Sequence, residues 1–225
     1  TEGLLPGTNK LYSVCTYDHA THASDALHEL ISQIKKSNKK VKILVGTGHA
    51  KATCQGAAFE YILNVEKELQ KHKVRDKAEV IWISNEYELG DFGMDGMLLD
   101  YGGINMRSKD LVEMVFEDRG IKWILGAAVT KVEDGIVYYE NLDGEFKTET
   151  FDFGMLIPAF SGHGFNAFDK NDEDITDKLF KGFMIKIFLL PELHLLLLML
   201  FLNLEKVRMG QLFFQHLHEL ECLQE

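Results

Sequence analysis

The chain has 225 residues, 46% of them apolar and 26% charged, a composition that suits one large globular domain and excludes a disordered or collagen-like chain. Asp and Glu number 35 against 24 Lys and Arg, and the resulting net charge of −11 disfavours nucleic acid as a partner. Three cysteines are too few, and too odd in number, for a disulfide scaffold. Residues 1–17 read as loop and extended chain. They begin at Thr1 with no signal peptide in view, so the start is either processed or part of something longer. Thr16 or Asp18 can cap a helix over His19–Ser37, whose apolar residues recur at helical spacing from Ala23 to Ile34. The basic run Lys35–Lys40 ends that helix and suits its dipole.

Val41–Val45 is a short apolar strand. A loop, Gly46-Thr47-Gly48-His49-Ala50-Lys51-Ala52-Thr53-Cys54-Gln55-Gly56, leads into a helix from Ala57 to about Lys71. Glu79–Ser84 is a second strand, followed by a glycine-rich apolar stretch over Phe92–Tyr101. Ser108 caps a helix to Arg119, and Gly120 stops it. Ile121–Ala127 reads as a strand. Ala128–Val132, Gly135–Glu140 and Glu145–Phe151 then read as a meander joined by Glu-Asp-Gly and Leu-Asp-Gly turns. Phe153–Ile157 is a buried strand closed by Pro158. Strands alternating with helices, followed by a meander, predict an α/β fold: a Rossmann-like, NAD-type domain with a three-strand β-meander crossover.

Gly46-x-Gly48, after a strand and before a helix, stands where nucleotide folds bind pyrophosphate, so Gly46, Gly48 and Gly56 are candidate cofactor-binding residues. Gly56 comes too late for G-x-G-x-x-G, and a plain glycine-permitted turn is the competing reading. Cys54 lies near a helix start beside Lys51, and both features favour a thiolate; Cys15, in SVCTYDHA, also precedes a helix. The two thiols form a redox pair if the fold brings them together, and are inert packing residues if it does not. Glu86 ends the second strand, where NAD folds carry a ribose-binding acid. His19, His22 and His28 share one helix, but no carboxylate or further histidine is tied to them in sequence, so no metal site is expected.

The run SVCTYDHATHA, then ATCQGAAFEYILNVEKEL, then RDKAEVIWISNEYELGDFGMDGM, and IPAFSG at 157–162, resembles the sulfide:quinone oxidoreductase family, a relative of flavocytochrome c sulfide dehydrogenases and, more distantly, of type II NADH dehydrogenases. The family motifs matched are S-[IV]-C-T-x-x-H-A, A-S-C-x-G-x-A-[YF]-E, Y-L-G-H-F-G and [MI]-P-x-F-x-G. Asp91 stands where the family often has His, and Lys51 replaces a Gly. The resemblance implies a flavin-dependent oxidoreductase that passes electrons from sulfide through cysteines and FAD to a quinone or cytochrome, with Cys15 and Cys54 as catalytic cysteines. It adds Pro158 and Gly162 as cofactor-binding residues. An NADH:quinone oxidoreductase-like domain and an inactive remnant are the alternatives.

The resemblance also implies an organisation. Residues 1–17 end a first FAD-domain segment, 18–160 form the NAD(P)-type domain, and 161–186 return toward the FAD domain. The strand–GxGxxG–helix unit that opens the family is missing, so the chain alone is expected to be inactive and to bind no FAD. Of the 39 residues from Ile187 to Glu225, 14 are leucine, and Pro191, Glu192 and His194 break the run before it could span a membrane. Read one base earlier, this stretch permits NIFA-x-G and P-x-T-G-x-P, motifs of the family's C-terminal FAD segment, and an out-of-frame tail is the expectation. Localisation is left open between cytoplasmic and peripheral to the membrane.

Overall fold

Five strands form the central sheet, and the three longest of them carry near-continuous apolar runs, the signature of a parallel sheet covered on both faces. In the computed structural model, which describes residues 1–49, 51–52, 54–159, 166, 168 and 170–174, the five are β1 (Leu11–Tyr12), β2 (Val41–Thr47), β3 (Ala78–Ile83), β6 (Lys122–Ile124) and β10 (Phe153–Ile157). All pair in parallel, in the order β1-β10-β2-β3-β6. Side chains alternate across the sheet. Ile43, Val45, Val80, Trp82, Phe153 and Met155 join a core with helices α1 (Tyr17–Ser37), α2 (Gln55–Lys71) and α3 (Ser108–Asp118). Leu44, Ile81, Ile83 and Leu156 face the other way, against the antiparallel meander β7 (Ala128–Glu133), β8 (Ile136–Glu140) and β9 (Phe146–Thr150). Helices thus cover one face and the meander the other, and the meander is the crossover into β10. The α/β, NAD-type architecture is as expected.

Local details depart from expectation for identifiable reasons. Thr16 caps α1, its hydroxyl accepting from the His19 N–H at 3.3 Å, and Asn38 closes the helix in the left-handed conformation. Ser108 is not a cap. It is the first residue of α3, and its buried hydroxyl donates to the Gly90 carbonyl at 2.6 Å while accepting from the Met97 N–H. Pinning the 90–97 loop satisfies that hydroxyl better than capping would. The strand expected over Ile121–Ala127 shrinks to three residues because Gly126 turns left-handed and donates its N–H to the Glu86 carbonyl. A hairpin of β4 (Leu98–Tyr101) and β5 (Ile104–Arg107) stands where only a glycine-rich stretch was read. Gly102 and Gly103, both with positive φ, supply its two-residue turn. The tail 187–225 lies outside the described residues. Among those residues, no helix is long and apolar enough to cross a membrane.

Candidate functional site

In a doubly wound sheet, ligands bind beyond the carboxyl ends of the strands where the strand order reverses. Here β2, β3 and β6 run outward in one direction while β10 sits on the other side of β2, so the reversal falls between β2 and β10. The Gly46-Thr47-Gly48 turn and Pro158 lie at that point, joined by a Gly48 N–H donated to the Ile157 carbonyl at 2.8 Å. Each of the two loop glycines answers a structural need. A Cβ on Gly46 would lie 1.8 Å from the Ile83 carbonyl oxygen, so this glycine permits the close approach of β2 and β3. A Cβ on Gly48 would lie 2.8 Å from Leu4, and the Thr1 hydroxyl donates to the Gly48 carbonyl at 2.5 Å. The N-terminal segment therefore packs directly on the second glycine of the turn. Gly56 sits in the first turn of α2. Gly162 lies outside the described residues.

Cys54 is the N-cap residue just ahead of α2, half-buried against the helix-side core and without a side-chain cap bond. Cys15 is exposed on the turn between β1 and α1, its backbone N–H donating to the Ser13 hydroxyl at 3.2 Å. Because β1 and β2 are parallel members of one sheet, the segments that follow them emerge at the same edge. The thiols come close enough that charge on Cys15 raises the pKa of Cys54. The thiolate expected at Cys54 needs correcting. Burial pushes this thiol up, the backbone N–H of Ala57 only partly offsets it, and Cys15 and Glu60 add to the rise. Lys51 contributes no stabilising charge there; its backbone N–H donates to the His49 ring at 2.9 Å.

Glu86 turns inward rather than toward a ribose. It is 5% exposed, accepts from the Ser84 hydroxyl at 2.9 Å, and burial lifts its pKa to about 7, with Asp91 adding to the rise against the Ser84 bond and the Phe92 and Gly93 N–H groups. Asp91 itself is engaged locally, accepting from the N–H groups of Met94 and Asp95.

Helix packing also assembles a group that sequence spacing does not show. His28 of α1 meets Glu68 and His72 of α2, with both imidazole Nε2 atoms on one carboxylate oxygen, Glu68 Oε1, at 3.1 and 3.0 Å. Lys71 and then the two imidazoles hold the Glu68 carboxyl down at about 2. The Glu68–His72 spacing of four was the half of this signal visible in the sequence.

No protein-family model matches the chain. The sulfide-quinone reductase of Aquifex aeolicus (strain VF5) is 34% identical over 150 residues, covering 67% of this chain and 31% of that protein. The solved structure of the sulfide:quinone oxidoreductase from the hyperthermophilic bacterium Aquifex aeolicus superposes with a TM-score of 0.55 at 31% identity, covering 72% of this chain and 35% of that one. The chain thus spans about a third of the length of these relatives. Fold and comparisons together define an α/β domain with a parallel sheet, similar to one domain-sized part of these oxidoreductases. The chain is similar to the sulfide:quinone oxidoreductase-like proteins over that part.

Proposed function

We propose that this chain is the NAD-type domain segment of a flavin-dependent oxidoreductase that takes electrons from sulfide and delivers them to a quinone. Cys15 and Cys54 are its sulfur-handling pair. The observation that carries this reading is the convergence of two motif cysteines at one sheet edge, near enough for their charges to interact. Hydrosulfide attack on a Cys15–Cys54 disulfide would leave a persulfide on one sulfur and a thiolate on the other. Cys54, held at the end of a helix and half-buried, suits the sulfur carrier, and exposed Cys15 suits the partner that solvent reaches first. FAD, when bound in the parent enzyme, supplies the two-electron acceptor. The Gly46–Gly48 turn is not taken as its holder, since Leu4 packs on Gly48. The same crowding speaks against the NADH-dependent alternative. In the full-length parent, Cys54→Ser should abolish sulfide-dependent bleaching of the flavin while leaving its visible spectrum intact. Unchanged bleaching would make both cysteines packing residues, and bleaching by NADH would favour the alternative.

A further inference from the structure

Three features on the helix face are left unused by sulfur chemistry: His28, Glu68 and His72. We propose that they form a site for a divalent metal ion of the zinc class, bridging α1 and α2 some distance along the chain from either cysteine. Two imidazole nitrogens and one carboxylate oxygen are the donor set that zinc takes with three protein ligands and an open fourth position. The spacing fits. Zinc bonds of about 2.0–2.1 Å in a tetrahedron put neighbouring donors about 3.3 Å apart. Here two of the three edges are 3.1 and 3.0 Å, and the three donor atoms lie within 4.8 Å of one another.

The second shell points the same way. His28 Nδ1 is 2.8 Å from the Ser24 carbonyl oxygen, which can only accept, so Nδ1 carries the proton. With Nδ1 protonated, Nε2 at 3.1 Å from Glu68 Oε1 either donates a second proton to it, as an imidazolium, or turns a lone pair toward it, the form a metal ion takes. A proton or a metal ion fills that position equally well. A backbone carbonyl fixing the outer nitrogen of a ligand histidine is also a recurrent feature of metal sites.

Two lysines occupy the neighbourhood. Lys71 donates to both oxygens of Glu68, at 3.0 and 3.1 Å, and keeps the second oxygen when Oε1 turns to the metal. Lys35 donates to His72 Nδ1 at 3.0 Å. A metal on Nε2 puts the proton on Nδ1, so Lys35 must swing away, which a side chain in the last turn of α1 can do. Lys35 is therefore a built-in competitor of the ion.

Calorimetric titration of the full chain with zinc chloride tests this, with cobalt(II) absorption reporting the ligand field. Wild type should bind one equivalent that His28→Gln or His72→Gln each weakens by about 10-fold or more, at least the loss that removing an outer-shell partner brings. His19→Gln/His22→Gln should leave that equivalent untouched, and Lys35→Met should tighten it. If His28→Gln/His72→Gln titrates like wild type, or Lys35→Met weakens binding, the cluster is a hydrogen-bonded helix contact only and the proposal fails.

Discussion

Glu86 is a carboxyl group that folding makes harder to ionise. Its pKa rises from the ordinary 4.5 to about 7, so the native state holds the proton more tightly than the unfolded chain does. The contribution is favourable below 4.5, declines as pH climbs through about 7, and stays lost above it. Its size is up to about 3 kcal/mol. Urea unfolding of Glu86→Gln should accordingly show higher stability than wild type at pH 8 and little difference at pH 4.5; equal curves at pH 8 would refute the burial account. Glu68 acts in the opposite direction and in a separate window, since its lowered carboxyl loses stabilisation only as pH falls from 4.5 toward about 2. At this scale the sequence was informative where chemistry is local. Cys15, Cys54 and the strand-end position of Glu86 could be read directly. That Glu86 is buried could not, because the loop that covers it, 90–97, is held by Ser108 from the start of another helix. His28 and His72 were equally hidden from each other, since only the packing of α1 on α2 joins them.

Between elements, one buried carboxylate ties three segments together. Glu66 of α2 is fully buried, and it accepts from Arg119 at 2.9 Å and from Gln70 at 2.6 Å, with Arg75 Nε 3.4 Å away. Arg75 in turn donates to the carbonyls of Ala78, Arg119 and Gly120, so the end of α2, the entry to β3 and the end of α3 share one knot. Removing one partner of such a group strands the others, at a cost of about 3 kcal/mol or more. Glu66→Ala should lower the unfolding free energy by that amount in urea titration, and a loss near zero would show the arginines to be satisfied by carbonyls alone. The long elements were legible because their periods are clear: 3.6 in α1 and α2, and a continuous apolar run in β2, β3 and β10. The short ones were not. β1 is two residues long and exists only because β10 offers it an edge, and the β4–β5 hairpin was masked by the glycines that make its turn.

For the whole molecule, the filled crevice at Gly48 leads to a direct expectation. Mixed with excess FAD and passed through gel filtration, the chain should emerge without flavin absorbance, because Leu4 packs on Gly48 and the Thr1 hydroxyl donates to its carbonyl at the switch-point turn. A stoichiometric yellow peak would overturn that reading. The order β1-β10-β2-β3-β6 has a further consequence, for how the chain reaches its native state. The strand made last, β10, inserts between the two made first, pairing Gly154 with Leu11 and Ile43 with Phe153. On a ribosome, the side of β2 that β10 will fill stays an open apolar edge until about residue 157 has emerged. Contacts separated by more than a hundred residues form slowly, and an unpaired edge is the surface on which chains stick to one another. The nascent polypeptide therefore passes through synthesis with its most aggregation-prone seam uncovered, and any premature stop before Phe153 leaves that seam open for good.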